Sequence, residues 1–119
     1  MQDIVLIGLN HNTAPVELRE CMAFTSEDVE AALARLSDNA LFDEVLLLST
    51  CNRVEVLLVS ARAAEAIKET KSFLSAYNGL PIERFDDSLY VYRGEEAVRH
   101  VFRVASSLDS MILGDQQRR

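Results

Sequence analysis

Leu46-Leu47-Leu48-Ser49-Thr50-Cys51-Asn52-Arg53-Val54-Glu55-Val56-Leu57-Leu58 is the stretch that decides the fold. Two apolar runs flank a polar tetrad at 50–53, and this pattern predicts a β-hairpin with strands at 44–49 and 54–60. The turn brings Cys51 to solvent beside the Arg53 guanidinium, a setting that favours the reactive thiolate. A lone cysteine often fills a core instead. Nucleophile and core filler therefore both stay open for Cys51.

Strand and helix signals alternate before this hairpin. The apolar run at 3–9 predicts a buried strand. A polar loop follows it and ends at Pro15, which suits the first turn of a short helix through 16–20. Thr25 has an acidic residue at capping-box spacing and opens a longer helix. Cys21 falls in an apolar patch between these two helices, so we expect it to be packed.

The same alternation continues after the hairpin. A helix at 63–77 is closed by Gly79, a short strand follows at 89–92, and Gly94 precedes a third helix that begins with acidic residues. The order β-α-β-β-α-β-α predicts an α+β fold. We expect a ferredoxin-like βαββαβ sandwich, with helices on one face of an antiparallel sheet and an extra C-terminal helical segment.

The third helix carries the second chemically interesting side chain, His100. The expected core stripe of this helix consists of Val98, Val101, Phe102, Ala105 and Leu108. His100 lies on the flank of that stripe, with Ala97 and Val104. From this position it is either an ordinary surface histidine or a partner for Cys51 at the hairpin tip. His11, between two asparagines, is either a ligand or base, or it hydrogen-bonds its own loop.

Composition limits the possible classes. The chain has 119 residues, which suits one domain, and its formal net charge of −7 disfavours strong nucleic-acid binding by this chain alone. No apolar run reaches the ~20 residues that span a membrane, and no secretory signal opens the sequence. Two cysteines make no disulfide framework, which favours a reducing, cytoplasmic location. Paired metal-ligand spacings and a glycine-rich dinucleotide loop are absent, so we expect neither a metal site nor a cofactor-binding residue within the chain.

Three segments together resemble one family, the glutamyl-tRNA reductases. They match its opening motif, its catalytic-cysteine motif and its histidine helix in the family's order: Gly8-Leu9-Asn10-His11-Asn12-Thr13-Ala14-Pro15, Leu48-Ser49-Thr50-Cys51-Asn52-Arg53-Val54-Glu55 and Ala97-Val98-Arg99-His100-Val101-Phe102-Arg103-Val104-Ala105-Ser106-Ser107-Leu108-Asp109-Ser110-Met111. The resemblance implies that 1–119 is the N-terminal catalytic, glutamyl-binding domain. The NADPH-binding and dimerisation domains would lie beyond Arg119.

The resemblance also implies a reaction. Cys51 would attack the ester that joins glutamate to tRNA(Glu), and NADPH would then reduce the thioester to glutamate-1-semialdehyde. This is the first step of tetrapyrrole (5-aminolevulinate) biosynthesis. His100 would act as general acid/base and Arg53 would bind a substrate carboxylate. The implied partners are glutamyl-tRNA(Glu), a second subunit in a homodimer and glutamate-1-semialdehyde aminomutase.

The remaining substrate contacts implied by the resemblance are polar side chains around the glutamyl group: Thr50, Asn52, Ser110, Asp115, Gln116 and Gln117. Asp115 and Gln116 depart from the family, whose usual Gly-Glu-Pro-Gln is Gly-Asp-Gln-Gln at 114–117. Because the hydride donor would bind elsewhere, we expect this chain to be acylated at Cys51 and slowly hydrolysed, but not to reduce its substrate.

Two rival functions stay open. The first is a cysteine hydrolase or acyl-transferase that uses Cys51 and His100 without a nicotinamide cofactor, and its product would be free glutamate. The second is a ferredoxin-like binding or regulatory module in which the cysteine is incidental. That second function predicts an ordinary thiol at Cys51 and no effect of alkylation.

Overall fold

This computed structural model describes the backbone of residues 2–117 and the side chains of residues 2–108. The elements, in chain order, are β1 (Asp3–Asn10), α1 (Val16–Met22), α2 (Ser26–Ser37), β2 (Glu44–Ser49), β3 (Arg53–Ser60), α3 (Ala63–Asn78), β4 (Tyr90–Arg93) and α4 (Glu95–Gln117). Two short 3-10 turns, Ile82–Arg84 and Asp86–Ser88, connect α3 to β4. No helix in the described part of the chain is long and apolar enough to cross a membrane.

The four strands form one sheet in the order β2-β3-β1-β4, and every neighbouring pair is antiparallel. The predicted hairpin is confirmed, with Ser49 opposite Val54 at its closed end. The mixed α and β architecture and the antiparallel sheet are also confirmed. The ferredoxin-like assignment stays a prediction.

Local signals explain where several helices begin and end. The Thr25 hydroxyl accepts a hydrogen bond from the Asp28 backbone N–H at 3.2 Å, which caps α2 as predicted. Gly79 ends α3 with a φ of 63°, and its N–H bonds back to the Ser75 carbonyl. Glycine adopts this left-handed conformation without the steric penalty that a Cβ brings.

The main core lies between one face of the sheet and the helices α2 and α3. Alternate residues of β1 and β3 point into it, because successive side chains of a strand face opposite sides. The strand contribution is Val5, Ile7, Leu9, Val54, Val56 and Leu58, and the helices add Ala32, Leu36, Phe73 and Leu74. Burying a side chain of this size contributes about 1.5–3 kcal/mol.

Helix α4, the extra C-terminal helical segment, covers the face of the sheet opposite to α2 and α3. Val101, Val104 and Leu108 line an apolar groove together with Leu46 and Leu57 of that second face. The groove has a volume of about 180 Å³, and Cys51 is not among the residues that line it.

The predicted core stripe of α4 is right only in part: Val101 and Leu108 face the sheet, but Val98 and Phe102 do not. Ala97, His100 and Val104 are the buried positions, whereas Val98 is 40% exposed and Phe102 is 67% exposed. Periodicity alone placed these three buried residues on the flank of the stripe. The helix instead turns its histidine inward, because a buried carboxylate on the sheet gives that ring a hydrogen-bond partner.

Cys21 is a further correction. It lies at the exposed side of α1 and carries a free thiol, although its neighbours Met22 and Phe24 are buried. Cys21 lies in the last turn of α1, where successive side chains point in different directions, so Met22 faces the core and Cys21 faces solvent. Hydrophobic neighbours in sequence therefore gave no information about its own side chain.

Candidate active site at the hairpin tip

The turn between β2 and β3 presents Cys51 to solvent. The Thr50 N–H donates to the Arg53 carbonyl at 2.8 Å, and the Thr50 hydroxyl oxygen accepts from the N–H groups of Asn52 and Arg53 at 3.2 Å each. These three bonds fix the backbone on both sides of Cys51. Cys51 is exposed and its thiol is free. The structure therefore fits an accessible nucleophile better than a core filler.

Arg19 of α1 ties the first loop to this turn. Its Nη1 donates to the Ala14 carbonyl at 2.8 Å, and its Nε donates to the Cys51 carbonyl at 3.4 Å. A second guanidinium, in addition to the predicted cation Arg53, therefore lies beside the backbone of Cys51. The contact holds the tip against the loop that contains His11.

A buried carboxylate, Glu55, organises the polar groups behind the tip. Its residue is only 3% exposed. Its Oε2 accepts a hydrogen bond from the Tyr90 hydroxyl at 2.5 Å, lies 2.5 Å from Nε2 of His100, and lies 3.5 Å from Nη1 of Arg53. A buried charge is tolerated in proteins when it has such partners.

Gly8 makes room for this carboxylate. It lies opposite Glu55 on β3 and opposite Tyr90 on β4. A Cβ at Gly8 would lie 2.7 Å from Cγ of Glu55 and 2.5 Å from the Val54 carbonyl oxygen. Both separations are shorter than ordinary van der Waals contact, so no other residue fits without displacing the strand or Glu55.

Tyr90 is a hydrogen-bond donor over a wide pH range. Burial, and then its hydrogen bond to the Glu55 carboxylate, raise the pKa of the Tyr90 hydroxyl above its ordinary value. Its ring centroid is 5.1 Å from that of His100, and the Tyr92 ring is 4.9 Å from the same imidazole. Two aromatic rings and one carboxylate thus hold the histidine in place.

The structure does not join the two predicted catalytic residues, Cys51 and His100, by a direct hydrogen bond. His100 hydrogen-bonds to Glu55, and no hydrogen bond joins it to Cys51 in the described part of the chain. Arg53 lies midway between Cys51 and Glu55 in the sequence, two residues from each. The partnership between His100 and Cys51 that the sequence left open is thus absent as a direct hydrogen bond among the described residues.

The other predicted site residues fall into two groups. Thr50, Asn52 and Arg53 form the turn itself, where Thr50 uses its oxygen to hold the backbone and Arg53 is partly engaged by Glu55. Ser110, Asp115, Gln116 and Gln117 follow on α4, and their side chains lie outside the residues whose side chains the structure describes.

His11 is exposed in the loop after β1. Its neighbour Asn10 forms an Asx turn there, with its side-chain oxygen accepting from the Asn12 N–H at 2.8 Å. The loop is thus held by Asn10 rather than by the histidine. Within the described side chains, no group of three potential ligands is arranged to hold a metal ion.

Sequence reasoning missed three residues of this site: Arg19, Glu55 and Tyr90. One signal was available for Glu55, because it is a charged residue between Val54 and Val56 in an otherwise apolar strand. A charge at such a position needs a buried partner. The partner's identity was not visible, because Tyr90 and His100 lie 35 and 45 residues away in sequence.

Known proteins show the same sequence pattern. The family described as "Glutamyl-tRNAGlu reductase, N-terminal domain" matches residues 7–117. The glutamyl-tRNA reductase of Desulfatibacillum aliphaticivorans is 53% identical over 115 residues, which cover 97% of this chain and 26% of that protein. The corresponding protein of Thermodesulfovibrio yellowstonii is 46% identical over 121 residues, with 96% and 28% covered.

A solved structure agrees with these sequence matches. Glutamyl-tRNA reductase from Methanopyrus kandleri superposes with a TM-score of 0.64 at 36% identity, covering 98% of this chain and 25% of that one. The chain thus spans about a quarter of the length of the relatives it matches. It belongs to the glutamyl-tRNA reductase N-terminal domain family.

Proposed function

We propose that this chain is the catalytic, glutamyl-binding part of an NADPH-dependent glutamyl-tRNA reductase. The enzyme converts glutamyl-tRNA(Glu) to glutamate-1-semialdehyde, the first step of tetrapyrrole biosynthesis. The observation that carries the proposal is the placement of Cys51, an exposed thiol at the apex of a rigid turn, within a family match that covers residues 7–117. The strand order also supports the ferredoxin-like class.

Cys51 supplies the nucleophile. Its Sγ, as thiolate, attacks the ester carbon of the glutamyl group, and a C–S bond forms. The bond from that carbon to the ribose 3′ oxygen breaks, the oxygen takes a proton, and tRNA leaves. The product is a glutamyl thioester on Cys51. Because the Thr50 and Arg19 contacts fix the backbone around Cys51, the thiol needs little reordering to reach the ester.

His100 serves the same step as the proton carrier. Its Nε2 is engaged by Glu55, so it acts from a fixed orientation. In this proposal it gives the proton to the departing 3′ oxygen, which makes the tRNA a better leaving group. It does not need a direct hydrogen bond to Cys51 for this role.

The turn provides the polar contacts for the glutamyl group. Arg53 has N–H groups beyond the one that faces Glu55, and a guanidinium binds a carboxylate in bidentate fashion. The Thr50 oxygen accepts two backbone N–H bonds, which leaves its own hydrogen to donate. We place Asn52, Ser110, Asp115, Gln116 and Gln117 in the same substrate shell.

The positions of three glycines support an NADPH site outside this chain. Gly8 lies within β1 with Glu55 against it, Gly79 ends a helix, and Gly94 forms a turn before α4, so none belongs to a phosphate-binding loop. NADPH supplies the hydride that reduces the thioester, and we propose that it binds outside 1–119. A homodimer, an aminomutase partner that accepts the semialdehyde and a cytoplasmic location complete the proposal.

Product analysis tests this function. The chain is incubated with glutamyl-tRNA(Glu), with and without NADPH, and the released species are separated. We expect deacylated tRNA and free glutamate in both cases, because the acylated Cys51 is hydrolysed slowly. Cys51→Ser should abolish the release, and Cys21→Ser, which alters the other exposed thiol, should not. Deacylation that survives Cys51→Ser would contradict the proposal.

A further inference from the structure

The Glu55 carboxylate gathers three contacts on a single oxygen. Arg53 and Tyr90 both face its Oε2, and so does the His100 ring. A guanidinium has N–H donors and no acceptor. The raised pKa keeps the Tyr90 hydroxyl protonated, so it also donates. Oε2 is therefore an acceptor, and the third group that contacts it must supply a hydrogen.

That requirement fixes the proton on the histidine ring. The atom of His100 that lies 2.5 Å from Oε2 is Nε2, so Nε2 carries the hydrogen. A neutral imidazole has one N–H and one lone pair, and the lone pair is then on Nδ1. The titratable groups that contact this ring are Glu55 from β3 and Tyr90 and Tyr92 from β4, and the Arg53 guanidinium contacts the same carboxylate.

We propose that Glu55 and Tyr90 are positioning residues that hold the His100 proton on Nε2 and leave Nδ1 as the atom that exchanges a proton during acyl transfer. The inference rests on the proposed function for the identity of the reaction, but the ring state itself does not depend on it. When the Cys51 thiol is converted to the attacking thiolate, the proton that it loses passes through solvent to Nδ1. The same nitrogen returns it to the 3′ oxygen as the C–O bond breaks, so the ring ends neutral.

Two features show that this arrangement is built rather than incidental. Gly8 leaves the space that the Glu55 side chain occupies, because a Cβ there would meet it at 2.7 Å. The carboxylate is also buried, and a buried carboxylate without partners is strongly disfavoured. In the proposed arrangement it stabilises the imidazolium that forms when Nδ1 is protonated, and Tyr90 prevents the carboxylate from rotating away.

The first test reads the ring directly by ¹⁵N NMR of the labelled chain at pH 8. The chain has two histidines, and His11→Gln assigns the signals. We expect a hydrogen on Nε2 of His100 and none on Nδ1. In Glu55→Gln, the neutral amide accepts more weakly, so the Nε2 hydrogen should exchange faster and its signal should move. A hydrogen on Nδ1 in the wild-type chain, alone or with one on Nε2, would overturn the proposal.

The second test asks whether Glu55 and Tyr90 act through His100. Single-turnover acylation of Cys51 by glutamyl-tRNA(Glu) is measured for Glu55→Gln, Tyr90→Phe and the same changes in a His100→Ala background. We expect roughly 100-fold and tenfold losses in the single variants, with no further loss in His100→Ala. Equal losses in both backgrounds would show a role independent of His100. Tyr77→Phe also removes a tyrosine hydroxyl, but Tyr77 packs on Phe24 and Phe73 in the main core, so it is the matched control, with an unchanged rate.

The two tests separate the inference from the proposed function. If no variant, including wild type, is acylated by glutamyl-tRNA(Glu), the proposed reaction fails while the NMR result still decides the ring state. If Glu55→Gln does not fold, the wild-type spectrum alone decides it. The positioning role would be refuted if the hydrogen is found on Nε2 of His100 but Glu55→Gln and Tyr90→Phe leave the acylation rate unchanged.

Discussion

Replacing Gly8 by alanine should destabilise the domain, because the added methyl group has no space in the sheet. Gly8 lies in the centre of β1, between β3 and β4. The added Cβ would lie 2.5 Å from the Val54 carbonyl oxygen and 2.7 Å from Cγ of Glu55. Ordinary contact begins near 3.4 Å, so the neighbours must retreat by almost 1 Å. One of these neighbours is backbone in the middle of a sheet.

The expected loss is about 3 kcal/mol of unfolding free energy. Overpacking of this kind costs about 1–3 kcal/mol. If Glu55 moves instead, it loses a hydrogen bond from Tyr90 or His100, and such a bond to a charged group is worth about 1.5–3 kcal/mol. For a domain of this size, the melting temperature should fall by about 12 °C.

The assay is urea unfolding followed by circular dichroism, with Gly94→Ala as the matched control. Gly94 has a φ of 61° and no atom within 4 Å of an added Cβ, so alanine there is disfavoured only by its backbone conformation. That cost is about 1–2 kcal/mol. If Gly8→Ala is no more destabilising than Gly94→Ala, the space that Glu55 needs is not set by Gly8, and the geometry of the buried cluster is wrong.

Three further predictions concern the Tyr90 hydroxyl, the Arg19 contact and the buried side of α4. Tyr90→Phe should change how the unfolding free energy depends on pH in alkaline solution. Because the pKa of Tyr90 is raised in the folded state, its hydroxyl stabilises the fold fully below the unfolded-chain pKa of about 10. Above that pH, wild-type unfolding free energy should fall by up to about 1.4 kcal/mol per pH unit more than that of the variant, measured by urea titration at each pH. Arg19→Ala removes the contact to the Cys51 carbonyl and should slow Cys51 acylation roughly tenfold in single-turnover experiments, whereas an unchanged rate would show that the turn holds itself. In the same urea unfolding assay, Phe102→Ala should lower the unfolding free energy by less than about 0.5 kcal/mol and Phe73→Ala by about 3–5 kcal/mol. The reason is that the Phe102 ring is 67% exposed and the Phe73 ring is 9% exposed. Similar losses for the two variants would show that α4 buries the side that carries Phe102.

The hairpin and its exposed cysteine were predictable because their signals are local. Apolar runs on both sides of 50–53 specify two strands, and the short polar segment specifies the turn. The same holds for α2 and α3, where Thr25 and Gly79 mark a beginning and an end. In each case the residues that determine the structure are adjacent in sequence.

The buried side of α4 was not predictable in the same way. Its sequence offers apolar residues on more than one side, and two of them, Val98 and Phe102, are exposed. What selects the buried side is the pairing of His100 with Glu55, which lies 45 residues earlier. Periodicity does not report on a long-range polar contact of this kind.

The site was half visible from the sequence for a related reason. Cys51 and Arg53 stand out by chemistry and by position in the hairpin. The groups that support them, Arg19 and Tyr90, lie on other elements and look like ordinary surface residues in the sequence. Only the register of the sheet, which places Gly8 between Glu55 and Tyr90, brings these groups together.

The most direct measurement is to trap the acyl-enzyme. The chain is mixed with tRNA(Glu) that carries isotopically labelled glutamate, quenched in acid within seconds, digested and analysed by peptide mass spectrometry. A glutamyl group attached to the peptide that contains Cys51, lost on treatment with hydroxylamine and absent in Cys51→Ser, is the predicted result. A label found on Cys21 instead, or no label while tRNA is still deacylated, would contradict Cys51 as the nucleophile.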